Sequence, residues 1–133
     1  MADNAKKSTA RRKKAVRKNV GLGVVHVLSS FNNTQVTMTD SAGNVLAWGT
    51  AGAMGFKGAR KSTPYAATQV TNGVLEKIKP MGISGIEIRV SGIGTGRDAA
   101  LRAISASGIA IHTIHDITPL PHNGCRPKKA RRV

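Results

Sequence analysis

The chain has 133 residues, a formal net charge of +15 and only 3% aromatic residues. That length holds one compact domain rather than two. A single cysteine, Cys125, excludes an internal disulfide, and no stretch approaches the roughly twenty apolar residues of a membrane span.

The charge sits at the ends. Residues 1–18 carry Lys6, Lys7, Arg11, Arg12, Lys13, Lys14, Arg17 and Lys18 against Asp3 alone. Residues 122–133 carry Arg126, Lys128, Lys129, Arg131 and Arg132 with no acid, and the stretch between is close to neutral. Blocks of like charge repel themselves and bury little, so both ends are expected to be disordered alone in water and to order on a dense polyanion. The expected division is a basic extension over 1–19, a single α/β core domain over 20–121 and a basic tail over 122–133. The N-terminal run has no apolar face at helical spacing and leads into no long apolar segment, so neither a membrane partner nor a signal peptide is expected.

The first strand is predicted over Val24 to Phe31, ending at Asn32-Asn33, a turn signal because asparagine tolerates positive φ. Thr34 to Asp40 alternates Val36 and Met38 against Thr37 and Thr39, the period of two of a half-buried strand. After the turn Ser41-Ala42-Gly43-Asn44, Val45 to Thr50 makes a third strand and completes an antiparallel meander. Residues 51–63 read as a loop too rich in glycine for regular structure. Thr63 before Pro64 is a helix start, with an N-cap oxygen ahead of a proline in the first helical position. Ala67, Val70, Thr71, Val74, Leu75 and Ile78 form its apolar stripe, and Pro80 and Gly82 stop it.

Ile86, Ile88 and Val90 point one way from a fourth strand, with Glu87 and Arg89 opposite. A glycine turn, Gly92 to Gly96, leads into a short helix over Arg97 to Ser107, closed by Gly108 as a left-handed cap, and Ile109 to Ile117 is a fifth strand. Strand–helix–strand connections join parallel strands. The expected fold is a five-stranded mixed sheet in a ribonuclease H-like arrangement.

Several chemistries can be weighed on these residues. Gly94-Thr95-Gly96-Arg97-Asp98-Ala99 fits the dinucleotide pattern G-x-G-x-x-A, with Asp116 where a ribose-binding acid belongs. Only a basic tail follows the fifth strand, which leaves no room for a second nucleotide-binding half, so a Rossmann-type enzyme is the lesser alternative. The free N–H groups of the turn and Arg97 suit an RNA phosphate equally well. His112-x-x-His115 and His122-x-x-Cys125 invite a metal, but positions three apart on a regular strand face opposite ways. Two-metal cleavage needs converging carboxylates, and Asp40, Glu76, Glu87, Asp98 and Asp116 read as scattered, with Asp98 serving a helix start three residues after Thr95. No cofactor, metal, small-molecule substrate or enzymatic activity is expected.

Three segments carry a family resemblance: Phe31-Asn32-Asn33-Thr34, the run Gly55-Phe56-Lys57-Gly58-Ala59-Arg60-Lys61-Ser62-Thr63-Pro64, and the tail Thr118-Pro119-Leu120-Pro121-His122-Asn123-Gly124-Cys125-Arg126-Pro127. From about Val24 onward the chain resembles the small-subunit ribosomal protein S-eleven family, while residues 1–23 match only in being basic. Ile93 and Thr95 stand where that family usually has prolines, and Pro127 stands alone where two prolines often follow the arginine. The resemblance implies a cytoplasmic, ribosome-bound protein of the 30S platform. It implies binding to 16S rRNA, contact with neighbouring proteins seven and eighteen, a place near messenger RNA in the Shine-Dalgarno cleft, and initiation factor three as a further partner. Carried onto this chain, together with the basic patterning, RNA contact is expected at Lys13, Lys14, Arg17, Lys18, Asn32, Asn33, Gly55, Phe56, Lys57, Gly58, Arg60, Lys61, Ser62, Gly92, Gly94, Gly96 and Arg97. In the tail it is expected at His122, Asn123, Gly124, Cys125, Arg126, Lys128, Lys129, Arg131 and Arg132.

Overall fold

The computed structural model describes residues 20–130 and 132, so the expected basic extension over 1–19 lies outside the described residues. Five strands and two helices follow in the order β1 (Leu22–Ser29), β2 (Thr34–Asp40), β3 (Val45–Thr50), α1 (Pro64–Ile78), β4 (Gly85–Ser91), α2 (Gly96–Ala106) and β5 (Ala110–Asp116). The sheet order is β3-β2-β1-β4-β5. β1 pairs antiparallel with β2, as β2 does with β3, while β1 with β4 and β4 with β5 are parallel. This is the expected mixed α/β sheet, in an order compatible with the ribonuclease H-like arrangement.

Both crossovers, β3–α1–β4 and β4–α2–β5, step across the sheet in the same direction. Because such crossovers are right-handed, both helices land on the same face. Val25, Val27, Val36, Met38, Ile86, Ile88 and Val90 alternate onto that face and are buried against Val70, Val74 and Ile78 of α1 and Ala100 and Ile104 of α2. The other face, with His26, Thr37, Trp48, Glu87 and Arg89, has no element over it among the described residues. At the edge strand β3, the Lys77 ammonium donates to the Trp48 carbonyl at 3.2 Å and blunts an otherwise free backbone acceptor.

The segment predicted as irregular contains a 3₁₀ turn over Gly58–Ser62, entered at Gly58 (φ +60°) after Gly55 (φ +91°) has reversed the chain ahead of it. Thr63 caps α1 as expected, its hydroxyl oxygen accepting from Ala66 N at 3.3 Å. The other cap differs. Thr95 makes no side-chain cap for α2, and its hydroxyl donates to the Ser62 carbonyl at 2.7 Å instead, so no capping box forms with Asp98. β1 ends two residues earlier than predicted because the chain turns at Ser30.

The turn from β4 into α2 lies directly on the β1–β2 connection. Gly92 has φ +98°, and a Cβ there would collide with the Ser29 carbonyl. Gly43, at φ +91°, has open space around it. Gly43→Ala should therefore cost about 1–2 kcal/mol of left-handed strain. Gly92→Ala adds a backbone collision and should cost on the order of 3 kcal/mol or more. Denaturant melts of the two variants check this, and equal losses would show that the close approach does not constrain the fold.

Candidate nucleic-acid interface

Because β1, β3, β4 and β5 run the same way, their carboxyl ends fall at one end of the sheet, together with the start of β2 and the N-termini of both helices. In open α/β sheets this is the end where ligands bind. Three segments singled out from the sequence meet here: the Asn32-Asn33 turn, the loop 52–63 and the glycine turn 92–96. The C-terminal tail departs from the same end after β5.

The first turn is built differently from the expectation. Neither Asn32 nor Asn33 has positive φ. The Ser30 hydroxyl instead accepts from Asn32 N at 3.3 Å and Asn33 N at 3.1 Å, and donates to the Asn33 carbonyl at 3.2 Å. A serine opening a turn in this way is a common local motif, so the signal was present in the sequence at Ser30. Asn32 is left exposed at the tip beside Phe31.

The loop after β3 is pinned at its base, where Ala51 N donates to the Thr34 carbonyl at 3.1 Å and Phe56 N to the Ala51 carbonyl at 3.2 Å. Its outer part presents Gly55, Lys57, Gly58 and Arg60 to solvent, with Lys61 and Ser62 half-buried behind them. Among the described residues no carboxylate pairs with Lys57, Arg60 or Lys61. Lys57 and Arg60 therefore present unneutralised charge to solvent, with Lys61 half-buried behind them.

The glycine turn serves packing. Only Gly92 needs positive φ, but Cβ atoms at Gly94 and Gly96 would collide with the Ser30 carbonyl and the Thr34 hydroxyl. Gly94 and Gly96 are buried, and Gly94 N is spent on the Ser29 carbonyl at 3.0 Å. Ile93 and Thr95 form the exposed rim. All three glycines are thus accounted for by close approach.

Arg97 is also held inward. Its Nη2 donates to Asp116 Oδ2 at 2.6 Å and its Nη1 to the Gly92 carbonyl at 3.1 Å. The other Asp116 oxygen accepts from Thr118 N at 3.0 Å and the Thr118 hydroxyl at 2.6 Å, and Gly92 N donates to that same hydroxyl at 3.2 Å. This clasp ties the start of the tail to the glycine turn. It engages the acid that the dinucleotide pattern assigned to a ribose. Asp116 and Arg97 neutralise each other, so the outward charge at this end comes from the loop and the tail. Thr118, singled out only as the start of the tail motif, and Tyr65, exposed behind the α1 cap and not singled out at all, also belong to this end.

Residues 117–130 have no regular secondary structure, and His122, Asn123, Gly124, Cys125, Arg126, Lys128 and Lys129 are all exposed, as is Arg132. Asn123 is left-handed, at φ +58°. Lys13, Lys14, Arg17, Lys18 and Arg131 lie outside the described residues.

His112 and His115 share one face of the sheet, contrary to the expectation for positions three apart on a regular strand. The β4–β5 register skips His112, pairing Ile86 with Ile111 and Glu87 with Thr113. That bulge brings His112 over Gly85 on the open face, the same face as His115 opposite Arg89. Even so, no group of three or more metal-ligating side chains gathers among the described residues. The carboxylates are scattered, as expected: Asp40 accepts from Asn44 N at 2.8 Å within its turn, and Glu87 pairs with Arg89 at 2.8 Å. No helix among the described residues is long and apolar enough to cross a membrane.

By comparison with known proteins, this α/β domain with its unpaired loop cations belongs to the class of ribosomal proteins. The sequence model of ribosomal protein S11 matches residues 23–132. The small ribosomal subunit protein uS11 of Rhodopseudomonas palustris (strain BisB5) is 52% identical over 127 residues, 96% of this chain and 98% of that protein. Its counterpart in Bradyrhizobium sp. (strain ORS 278) is 53% identical over the same shares. The chain belongs to the ribosomal protein S11 family.

The clasp has a pH signature. The Arg97 guanidinium, with the Thr118 donors, holds the Asp116 carboxyl well below the usual carboxylate range. A depressed folded-state pKa contributes stability that is fully present above the unfolded value, about 3.9, and lost as pH falls through the folded one. Asp116→Asn should therefore melt below the parent by a constant margin above about pH 5, narrowing below about pH 4. Thermal melts from pH 7 to 2 check this, and a margin independent of pH would rule out the ion pair as its source.

Proposed function

We propose that this chain is a non-enzymatic structural protein of the small ribosomal subunit that holds 16S rRNA by electrostatic and shape contact. The observation that carries the reading is the convergence of Lys57, Arg60 and Lys61, none paired with a described acid, with the root of the basic tail at one end of a rigid sheet. Cations of the loop and tail neutralise phosphates where RNA helices crowd together, and the released counterions supply much of the free energy. The pinned turns at Asn32-Asn33, 52–63 and 92–96 fix the register of the RNA against the core. No bond is made or broken.

Val20 and Gly21 lie at the end of the sheet opposite the loops, and the root of the tail lies at the same end as the loops. Val20 N donates to the Met81 carbonyl and Ser84 N to the Gly21 carbonyl, which fixes these two residues beside the start of β4. A role in bridging several rRNA helices of the platform is what the family resemblance implies. The platform setting, the messenger RNA cleft, proteins seven and eighteen and initiation factor three are carried to this chain by family membership.

Affinity for a small-subunit rRNA fragment should fall steeply with salt, with a slope near −0.7 to −0.9 per phosphate contacted, or roughly −7 to −9 for ten contacts. A flat dependence between about 50 and 200 mM salt would exclude counterion release as the main driving force. Removing residues 122–133 should weaken RNA binding far more than it lowers the melting temperature of the core. Comparable losses in both would make the tail a structural element.

A further inference from the structure

The chain has two phenylalanines, one tryptophan and one tyrosine, and no buried core residue is aromatic. Phe31 is 68%, Trp48 55% and Tyr65 66% exposed, and Phe56 is half-buried. Folded domains ordinarily place such rings inside, where each removes a large apolar area from water. Here the core is filled entirely by aliphatic side chains, and the rings are displayed outside it.

Two of the four stand together. Phe56 packs one side against the edge of the core, and its ring centroid lies 5.9 Å from that of Tyr65 with the planes at 79°. In that edge-to-face geometry each ring keeps at least one face outside the contact. Phe56 also lines an open cavity of about 370 Å³ with Met54, Gly55, Lys57 and Arg60. A volume in the range of ligand pockets, an apolar wall of ring and thioether, and two cations with no paired acid make a site for a flat apolar body that carries negative charge at its edge. An unpaired nucleotide has that chemistry: a base with two π faces and a phosphate on either side. Double-stranded RNA does not, because its bases are stacked out of reach.

We propose that the Phe56 cavity, with Tyr65 beside it, receives one unstacked base of a folded RNA, while Lys57 and Arg60 hold the flanking phosphates. The inference rests on the RNA-holding function above and goes beyond it: the loop distinguishes unpaired from paired RNA, whereas the tails respond to charge alone. Three per cent aromatic residues leaves few platforms for base stacking, so most of the recognition falls to backbone and shape. Where the few aromatics are placed adds a single stacking receptacle to it.

The test compares the full-length chain and its variants on a short single-stranded RNA and on a blunt duplex of the same length. Phe56→Leu keeps an apolar side chain and removes the π face. It should weaken single-strand binding by roughly 5- to 150-fold, leave duplex binding within about two-fold, and leave the salt slope unchanged because no charge is lost. Phe56→Tyr should restore single-strand binding. Equal loss on both RNAs, or loss on neither, overturns the proposal. If Phe56→Leu does not fold, photocrosslinking of the parent chain to a 5-iodouridine single strand replaces it. An adduct on Phe56 or Tyr65 supports the site, and adducts confined to Phe31, Trp48 or the tail overturn it. Steep salt dependence on the duplex with no effect of Phe56→Leu removes only this inference, while a flat dependence on both RNAs removes the RNA-holding function itself.

Discussion

The working end of this molecule depends on a close approach of backbone to backbone. The turn after β4 lies against the β1–β2 connection so tightly that side chains at Gly92, Gly94 or Gly96 would strike Ser29, Ser30 or Thr34. That contact brings two segments sixty residues apart in sequence to the same place. It also sets the Gly92 carbonyl and N–H where Arg97 and Thr118 use them, which locks Asp116 and fixes the direction in which the tail departs. Thr95, held at the rim, then reaches the Ser62 carbonyl and ties the basic loop into the same unit. An interface of three short turns is held rigid with no large hydrophobic contact of its own.

Rigidity matters because the binding energy is largely nonspecific. Charge on a flexible tail attaches to any polyanion and selects nothing. Pinned turns present their exposed atoms at fixed spacing, and that spacing is what RNA shape can match. In the proposed function the labour divides along the chain: attraction from the loop and tail cations, register from the core. Pairing Arg97 with Asp116 keeps one cation out of the attractive set and uses it to hold the scaffold.

Much of this was legible in the residues. Alternation of Val36 and Met38 with threonines placed β2 and its buried face, and Thr63-Pro64 placed the start of α1, because each signal is local and nothing distant competes with it. Long-range contacts were not legible. Ser30 displaced Asn32-Asn33 as the residue that makes the turn, the β5 bulge moved His112 to the face of His115, and Thr95 left its capping role for a carbonyl thirty-three residues away. Arg97 read as an outward charge because sequence shows its position on the helix but not Asp116 across the sheet. The glycines of the turn read as a phosphate cradle for the same reason, since the backbone they accommodate belongs to another strand.

Hydrogen–deuterium exchange of the full-length chain, free and bound to small-subunit rRNA, tests the one-ended interface most directly. Slowed exchange at residues 30–33, 52–62 and 93–95, with the Ala42–Asn44 turn and residues 107–109 at the far end unchanged, is the expected pattern. Protection centred on the far end, or spread evenly over the sheet, would contradict an interface built on the carboxyl ends of the strands.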